Sequence, residues 1–117
     1  MKPAPIKPEI GIEDLAKLDI RAGTILAVDE VAASRKLMKL TVDFGDHQRS
    51  ILAGIRQERD DPFEIIGRQA LFVVNLPPRE MAGELSEGML FDVGYEDGVK
   101  PVLAVTEKPM PDGSRAG

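Results

Sequence analysis

The sequence contains no cysteine, no tryptophan and a single histidine, His47. Without cysteine, disulfide bonds, a thiolate nucleophile and cysteine-ligated zinc or iron–sulfur sites are excluded. One histidine leaves little for a catalytic triad or a two-histidine acid–base pair, and His47 stands in a polar turn between Asp46 and Gln48. No nucleophile–base pair or ligand cluster can be assembled from the spacing, so the sequence predicts a protein that is not an enzyme and has no metal or cofactor.

Long hydrophobic runs are also missing, because no segment approaches the roughly 18 apolar residues that span a membrane. The first five residues, Met1–Pro5, lack the apolar centre of a secretion signal. Both absences predict a cytoplasmic protein with no membrane partner. Aromatic residues make up only 4% of the chain, so stacking of nucleic-acid bases on aromatic rings is expected to contribute little to binding.

Positive charge is scarce in the C-terminal half. The net charge is −5, and residues 60–117 carry eleven acidic and five basic side chains. This balance opposes a polyanionic partner and makes any such binding weak and sensitive to salt. Residues 19–59 carry seven basic and six acidic side chains, so cations in this part of the chain can still meet phosphates.

The chain does contain a regular pattern of short strands. In Met38–Phe44 every second residue is apolar, which predicts a strand with one face in the core. A turn at Gly45–His47 leads to a hairpin partner at Arg49–Ile55. A first strand is predicted at Arg21–Val31, with Gly23 marking a bulge or a close backbone approach, and a central strand at Ala70–Leu76. Two further strands are predicted at Met89–Tyr95 and Val102–Val105.

Helical signals are few and short. Ile12–Lys17 predicts a short helix, and a second begins at Asp60-Asp61-Pro62 and ends at Gly67. The aspartate pair is interpreted as a helix cap rather than a metal site, because no third oxygen ligand is near. The proline-rich tail Pro109–Gly117 is expected to pack loosely. Short strands with one small helix between the third and fourth predict a small all-β barrel, and an OB-fold has a helix at that point.

Three segments together resemble one family: Leu18–Ile25, Ile51–Ile55, and Asn75-Leu76-Pro77-Pro78-Arg79 followed by Ser86–Leu90. They resemble the tRNA-binding OB domain that occurs as free-standing small proteins and at the C-terminus of many bacterial methionyl-tRNA synthetases. The resemblance covers residues 14–117. Within the family, the chain length and the segment Pro111–Arg115 are most similar to the free-standing, CsaA-like members.

The resemblance implies an all-β, five-stranded Greek-key OB barrel with a short helix between strands 3 and 4 and small N- and C-terminal extensions. Residues 1–11 would form an extended N-terminal arm, and residues 12–117 the tRNA-binding OB-fold domain with its C-terminal extension. It further implies a homodimer that binds tRNA by shape and backbone contacts. An aminoacyl-tRNA synthetase or, in the CsaA branch, unfolded preproteins would be additional partners.

Carried over residue by residue, the resemblance implies an RNA-binding set made up of Lys36, Arg49, Asn75, Arg79, Ser86 and Met89. The first two are expected on the outer face of the second and third strands, where cations can contact phosphates or simply face solvent. Asn75 could read a base edge or cap the adjacent proline turn. Arg79 follows two prolines on a surface loop, where it could bind a phosphate or pair with Glu80.

The Ser86–Met89 stretch has its own alternatives. Met89 offers either a flexible apolar surface for a base or a core side chain, and Ser86 is interpreted as a ligand contact. Acidic Glu80 and Glu84 depart from the basic residues that are common here in tRNA-binding members. The alternative hypothesis is an export-related chaperone whose Met81, Leu85 and Met89 bind unfolded chains.

Overall fold

A computed structural model describes all 117 residues, Met1–Gly117. Four strands are five residues or longer: β1 (Ile20–Glu30), β2 (Met38–Asp43), β3 (Gln48–Ala53) and β4 (Gln69–Val73). Six shorter strands follow: β5 (Arg79–Met81), β6 (Glu84–Ser86), β7 (Met89–Leu90), β8 (Asp92–Val93), β9 (Val102–Leu103) and β10 (Arg115–Ala116). The helical residues are α1 (Ile12–Leu15) and two 3₁₀ helices, Pro62–Ile65 and Tyr95–Asp97.

The main sheet is antiparallel and has the strand order β3-β2-β1-β4-β7, with β10 added beside β1. Strand β1 is long enough to pair with both β4 and β2. Its first part, Ile20–Thr24, pairs with β4, and its second part, Thr24–Glu30, pairs with β2. The register shifts between Ile25 and Ala27, and such a bulge bends a strand and increases its twist. The sheet therefore curls into a half-barrel, and the predicted all-β OB-fold class is confirmed.

The core lies inside this curl. Met38, Leu40 and Val42 are each 0% exposed, while the residues between them on β2 are half-buried. Phe44 continues the buried face and meets Phe72 of β4 edge to face, with ring centroids 5.7 Å apart. The alternation in the sequence thus correctly predicts the core face of β2, and Phe72 confirms that the Ala70–Leu76 segment holds a central strand.

Gly23 permits a close approach between β1 and the side chains of the core. A Cβ atom at this position would lie 2.5 Å from Cγ1 of Val42 and 2.8 Å from Cε1 of Phe44. Since real Cβ atoms essentially never come this close, a larger residue would push the two side chains out of the core. The predicted close approach at Gly23 is confirmed.

The predicted short helices are present. The 3₁₀ helix Pro62–Ile65 is capped by the Asp61 carboxylate, which accepts a hydrogen bond of 3.0 Å from the backbone N–H of Phe63. Gly67 follows with a φ of 86°, as the predicted helix end requires. In the N-terminal region, residues 1–10 form no helix or strand and are exposed. No helix in the structure is long and apolar enough to cross a membrane.

Two predictions for the second half of the chain are wrong, and one hairpin there was not predicted. The predicted strand Met89–Tyr95 is divided between β7 and β8, which belong to different sheets. Strands β5 and β6 form a hairpin that was not predicted. The C-terminal tail is not loosely packed, because the Asp112 carboxylate accepts a hydrogen bond of 2.7 Å from the Thr24 hydroxyl and β10 pairs with β1. The tail is therefore part of the sheet.

Candidate nucleic-acid interface

The barrel is closed along β3 by side chains rather than by a full strand ladder. The Ser86 hydroxyl accepts a hydrogen bond of 3.0 Å from the Leu52 N–H and donates one of 3.0 Å to the Gly88 carbonyl. The Glu87 carboxylate accepts from the Ser50 N–H at 3.0 Å, while the Glu87 N–H donates to the Ser50 carbonyl at 2.8 Å. Two consecutive side chains thus supply partners to β3 that a neighbouring strand would otherwise provide.

Ser86 is only 3% exposed, and its hydroxyl is fully used by these two backbone partners. The structure places it beneath the surface, where it joins β3 to the segment that leads into β7. The direct ligand contact expected from the sequence does not fit this position. Ser86 therefore supports the interface from inside.

We expect Ser86→Ala to lower the free energy of unfolding by about 1–3 kcal/mol, because it leaves a buried N–H without its partner. Urea titration followed by circular dichroism gives the transition midpoint. Ser114→Ala is the matched control, since it removes a hydroxyl that bonds the Pro111 carbonyl at an exposed position. A midpoint for Ser86→Ala equal to that of the control would contradict this role.

Arg49 lies at the core-facing side of β3 rather than on its outer face, which corrects the sequence-based placement. It is paired in register with buried Val42, and residues directly opposite each other on antiparallel strands share a face. Its guanidinium lies 6.0 Å from the centre of the Phe44 ring. Nη1 donates hydrogen bonds to the Val74 carbonyl at 2.7 Å and to the Glu87 carbonyl at 3.0 Å. Arg49 therefore ties the end of β4 to the segment before β7.

Asn75 is also committed to the backbone. Its Oδ1 accepts from the Asp19 N–H at 3.0 Å, and its Nδ2 donates to the Lys17 carbonyl at 2.7 Å. The amide thus binds the connection between α1 and β1, and not the proline turn that the sequence suggested. A base could be read only by the one N–H and the one oxygen lone pair that these two bonds leave free.

The other three residues of the predicted set have free side chains. Lys36 and Arg79 are exposed, and neither side chain forms a hydrogen bond or an ion pair. Met89 is 47% exposed and stands opposite Val73 on the edge of β4. All three side chains are therefore available to a ligand, although the backbone that carries them belongs to ordered turns and strands.

The backbone at Lys36 is held in place by its surroundings. The Ser34 hydroxyl accepts hydrogen bonds from the N–H groups of Lys36 and Leu37, at 3.2 and 3.1 Å. The Lys36 carbonyl accepts from the Arg56 N–H at 3.2 Å. Arg56 follows β3, and Arg79 pairs across its hairpin with Ser86. Lys36 and Arg79 therefore both lie on segments anchored to β3 or its continuation.

Acidic groups reduce the positive field at this surface. Glu84 of the β5–β6 hairpin lies 3.6 Å from Lys39 on β2, so this lysine is already neutralised. Glu80 sits next to Arg79 and forms no ion pair with it. No group of three or more histidine, aspartate or glutamate side chains is arranged to hold a metal ion. The surface can contact an anion through the exposed and unpaired side chains of Arg35, Lys36 and Arg79, and not through a broad basic patch.

The Asp19–Arg21 ion pair lies beside Asn75. Arg21 donates to the two carboxylate oxygens of Asp19 at 2.8 and 3.0 Å. These bonds hold the pKa of the Asp19 carboxyl below its ordinary value and raise the pKa of Arg21. The pair links the start of β1 to the segment that Asn75 binds.

A carboxyl whose pKa is lowered by folding stabilises the native state above its unfolded pKa of about 3.9. That stabilisation is lost as the pH falls through the lower folded value. We therefore expect Asp19→Asn to reduce the urea midpoint more at pH 7 than at pH 3, because the stabilisation by the charged pair diminishes as the pH falls. An equal reduction at both pH values would contradict a role for the charged pair.

Two residues that position the candidate interface were not predicted from the sequence. Glu87 closes the barrel with its side chain, and Ser34 fixes the backbone before Lys36. The Ser34 contact has a local signal, because a serine two or three residues before an N–H group commonly accepts from it. No local signal reveals Glu87, since its partner on β3 is 37 positions away.

Curated relatives were found among much longer enzymes. The chain is 39% identical over 113 residues to a methionine–tRNA ligase of Clostridium acetobutylicum, a match that covers 97% of the chain and 17% of the ligase. It is 46% identical over 92 residues to the methionine–tRNA ligase of Chlorobium luteolum, a match that covers 79% of the chain and 13% of the ligase. The chain therefore spans less than a fifth of the length of these relatives.

Solved structures of similar length show the same fold. A MetRS-related protein from Pyrococcus horikoshii superposes with a TM-score of 0.86 at 32% identity, over 95% of this chain and 100% of that one. The chaperone CsaA from Bacillus anthracis superposes with a TM-score of 0.82 at 31% identity, over 94% of this chain and 100% of CsaA.

One family model covers most of the chain. It is described as "Putative tRNA binding domain" and matches residues 20–115, which run from the first residue of β1 to the first residue of β10. The match includes the whole curled sheet except Ala116, and every residue of the predicted interface. Together with the ligase and solved-structure similarities, it shows that the chain belongs to the tRNA-binding domain family.

Proposed function

We propose that this chain is a non-catalytic, cytoplasmic RNA-binding protein that binds tRNA as a homodimer. The family match over residues 20–115 carries this proposal. The absence of a recognisable nucleophile–base pair in the sequence supports a binding role rather than a catalytic one. Its working partner beyond tRNA would be an aminoacyl-tRNA synthetase, because the relatives with matching domains are methionine–tRNA ligases.

In this proposal the tRNA contacts come from Lys36, Arg79 and Met89. The two cations can meet phosphates, and the exposed methionine can pack against a ribose or a base. Arg49, Asn75 and Ser86 belong to the same site as positioning residues, because their hydrogen bonds hold the segments around the contacts. Fixed segments that carry free side chains lose little entropy when a ligand binds.

Recognition by shape and backbone contacts suits the composition of the surface. The cations are few and lie on separate segments, so both can contact phosphates only on a folded RNA whose phosphate spacing matches theirs. We expect tRNA to bind at least about tenfold more tightly than an unstructured RNA of equal length at the same salt concentration. Competition between the two RNAs for labelled tRNA measures this ratio. Equal competition would contradict recognition by shape.

The dimer is proposed to form through the face that carries α1. Helix α1 has no buried residue, and its apolar side chains Ile12 and Leu15 are 77% and 51% exposed. Together with Leu18 and Ala116, they line an open groove of about 820 Å³. An exposed apolar face of this kind is expected to be covered in the assembled protein, and a second copy of the chain is the occupant that we propose.

Leu15→Glu is therefore expected to convert the dimer to a monomer, because it places a charge in the middle of this face. Sedimentation equilibrium measures the mass directly. Ile66→Glu makes the same kind of change at a side chain that is 47% exposed but outside the groove, and should leave the dimer intact. A dimer that survives Leu15→Glu, or a monomeric wild-type protein, would contradict the proposed interface.

A second function, binding of unfolded preproteins, is favoured by one feature of the surface. Leu85 and Met89 are 53% and 47% exposed, whereas Met81 is half-buried in the hairpin. The similarity to the chaperone CsaA over 94% of the chain supports the same alternative. Suppression of client aggregation that persists at high salt, and that is lost in Leu85→Ser, would support it. Failure to slow aggregation at equimolar dimer would exclude it.

A further inference from the structure

A second concave site lies beside the proposed tRNA contacts. It is a pocket of about 180 Å³ between the end of β3, the segment that follows β3, and the β7–β8 region. Its lining consists of Leu52, Ala53, Gly54, Ile55, Glu58, Met89, Leu90, Asp92 and Tyr95. Met89 belongs to both the pocket and the proposed tRNA surface, so the two sites are continuous.

The pocket combines an apolar floor with two carboxyl groups that have no partner in the protein. Leu52, Ile55 and Leu90 are buried and form part of the floor. Glu58 and Asp92 are half-buried, and neither side chain forms a hydrogen bond or an ion pair. Burial raises the pKa of Glu58, and the nearby negative charge of Asp92 raises it further. Carboxylate oxygens only accept hydrogen bonds, so these two groups suit a ligand that brings donors.

The size of the pocket limits what can enter. Pockets that enclose drug-sized ligands occupy about 300–1,000 Å³, so a volume of about 180 Å³ suits a single ring or a single side chain. A phosphate is disfavoured by the two carboxyls. The faces of a planar base can pack on the apolar floor, and its exocyclic amino group can donate hydrogen bonds to the carboxyls. Such edge contacts are the usual way in which proteins read unpaired bases.

We propose that this pocket binds one unpaired nucleobase that carries an exocyclic amino group. The inference rests on the proposed RNA-binding function and adds a base-selective subsite to it. Glu58 and Asp92 accept the amino hydrogens, while Met89 and the 65% exposed Tyr95 contact the faces of the ring. Adenine, cytosine and guanine have the required amino group, whereas uracil does not.

Cytosine and uracil provide the sharpest comparison because they have the same ring size. We expect fluorescently labelled hexacytidylate to bind roughly tenfold more tightly than hexauridylate. The double variant Glu58→Gln/Asp92→Asn should reduce this ratio, because an uncharged amide oxygen accepts more weakly than a carboxylate. Glu96→Gln/Asp97→Asn is the matched control: it removes the same two charges from the neighbouring 3₁₀ helix, outside the pocket lining, and should preserve the ratio.

Titration of tRNA in the same buffer distinguishes failure of the base pocket from failure of the proposed function. If tRNA binds but the two hexanucleotides bind equally, or neither binds, the base pocket is contradicted while the proposed function stands. If tRNA itself does not bind, the proposed function fails and the pocket fails with it. A hexalysine peptide tests the competing occupant: binding that is lost in Glu58→Gln/Asp92→Asn but not in the control, with no preference for cytosine, would assign the pocket to a cationic protein side chain.

Discussion

Lys36→Glu combined with Arg79→Glu is expected to lower the affinity for tRNA by about 100-fold at low ionic strength. Each side chain is exposed and free of protein partners, so in the complex each is available for one charge-assisted bond to a phosphate. Such a bond contributes about 1.5–3 kcal/mol, and the lower end of this range corresponds to about tenfold in affinity for each residue. Fluorescence anisotropy of labelled tRNA measures the change.

The control for this double variant makes identical charge changes elsewhere. Arg68 and Lys108 are exposed and form no ion pair, and they lie near the start of β4 and near Met110 rather than around β3. Lys108→Glu with Arg68→Glu should reduce tRNA affinity only through the general repulsion of two more charge reversals. An equal loss in both double variants would show that net charge, and not the proposed contacts, determines binding.

Arg49→Ala is the second change from which a large effect is expected. It removes two hydrogen bonds from a cationic donor to the Val74 and Glu87 carbonyls. We expect the free energy of unfolding to fall by about 2–4 kcal/mol, since bonds to charged groups contribute about 1.5–3 kcal/mol and the carbonyls lose their partner. Affinity for tRNA should fall as well, because the segments before β5 and before β7 lose their common anchor.

The salt dependence of tRNA binding distinguishes anchoring from direct phosphate contact. Loss of a phosphate contact reduces the slope of log affinity against log salt by about one. Because Arg49 is bound to carbonyls, Arg49→Ala should weaken binding and leave this slope unchanged, whereas Lys36→Glu should reduce it. Arg49→Lys should recover part of the stability, since lysine keeps the charge but not the forked geometry. A reduced slope in Arg49→Ala would restore the phosphate-contact interpretation.

Strand β2 shows why much of the fold could be predicted from the sequence. Its apolar side chains alternate without interruption, and a period of two has one structural meaning when one face is buried. The same holds for the capped 3₁₀ helix after Asp61, whose side-chain cap and following Gly67 are local signals. Elements with local signals were thus predicted at nearly their observed bounds.

The β5–β6 hairpin could not be predicted in the same way. Each of its strands has only three residues, which is too short for a periodic pattern, and its stability depends on contacts with β2 and β3. The split of Met89–Tyr95 has a similar cause: Leu90 is buried against β4 while Phe91 is 41% exposed, and the chain changes sheets between them. In both segments the secondary structure depends on tertiary contacts rather than on the local sequence.

The residues of the predicted interface also fall into two groups, those with free side chains and those whose polar atoms bind the backbone. Sequence and resemblance predicted contacts from Lys36, Arg79 and Met89, which stay a proposal, and the structure leaves their side chains free. For Arg49, Asn75 and Ser86 the residue type suggested a ligand contact, but backbone groups 2 to 58 positions away bind their polar atoms. A guanidinium, an amide or a hydroxyl can serve a ligand or a backbone equally well, and only the folded arrangement distinguishes the two.

The most direct test of tRNA binding is a titration of labelled tRNA with the wild-type protein across a series of salt concentrations. If two cations from each protomer of a dimer contact phosphates, log affinity should fall linearly with log salt with a slope of about 3 to 4. Saturable binding with such a slope is the predicted result. No saturable binding at about 50 mM salt, or an affinity that does not change with salt, would contradict the proposed phosphate contacts.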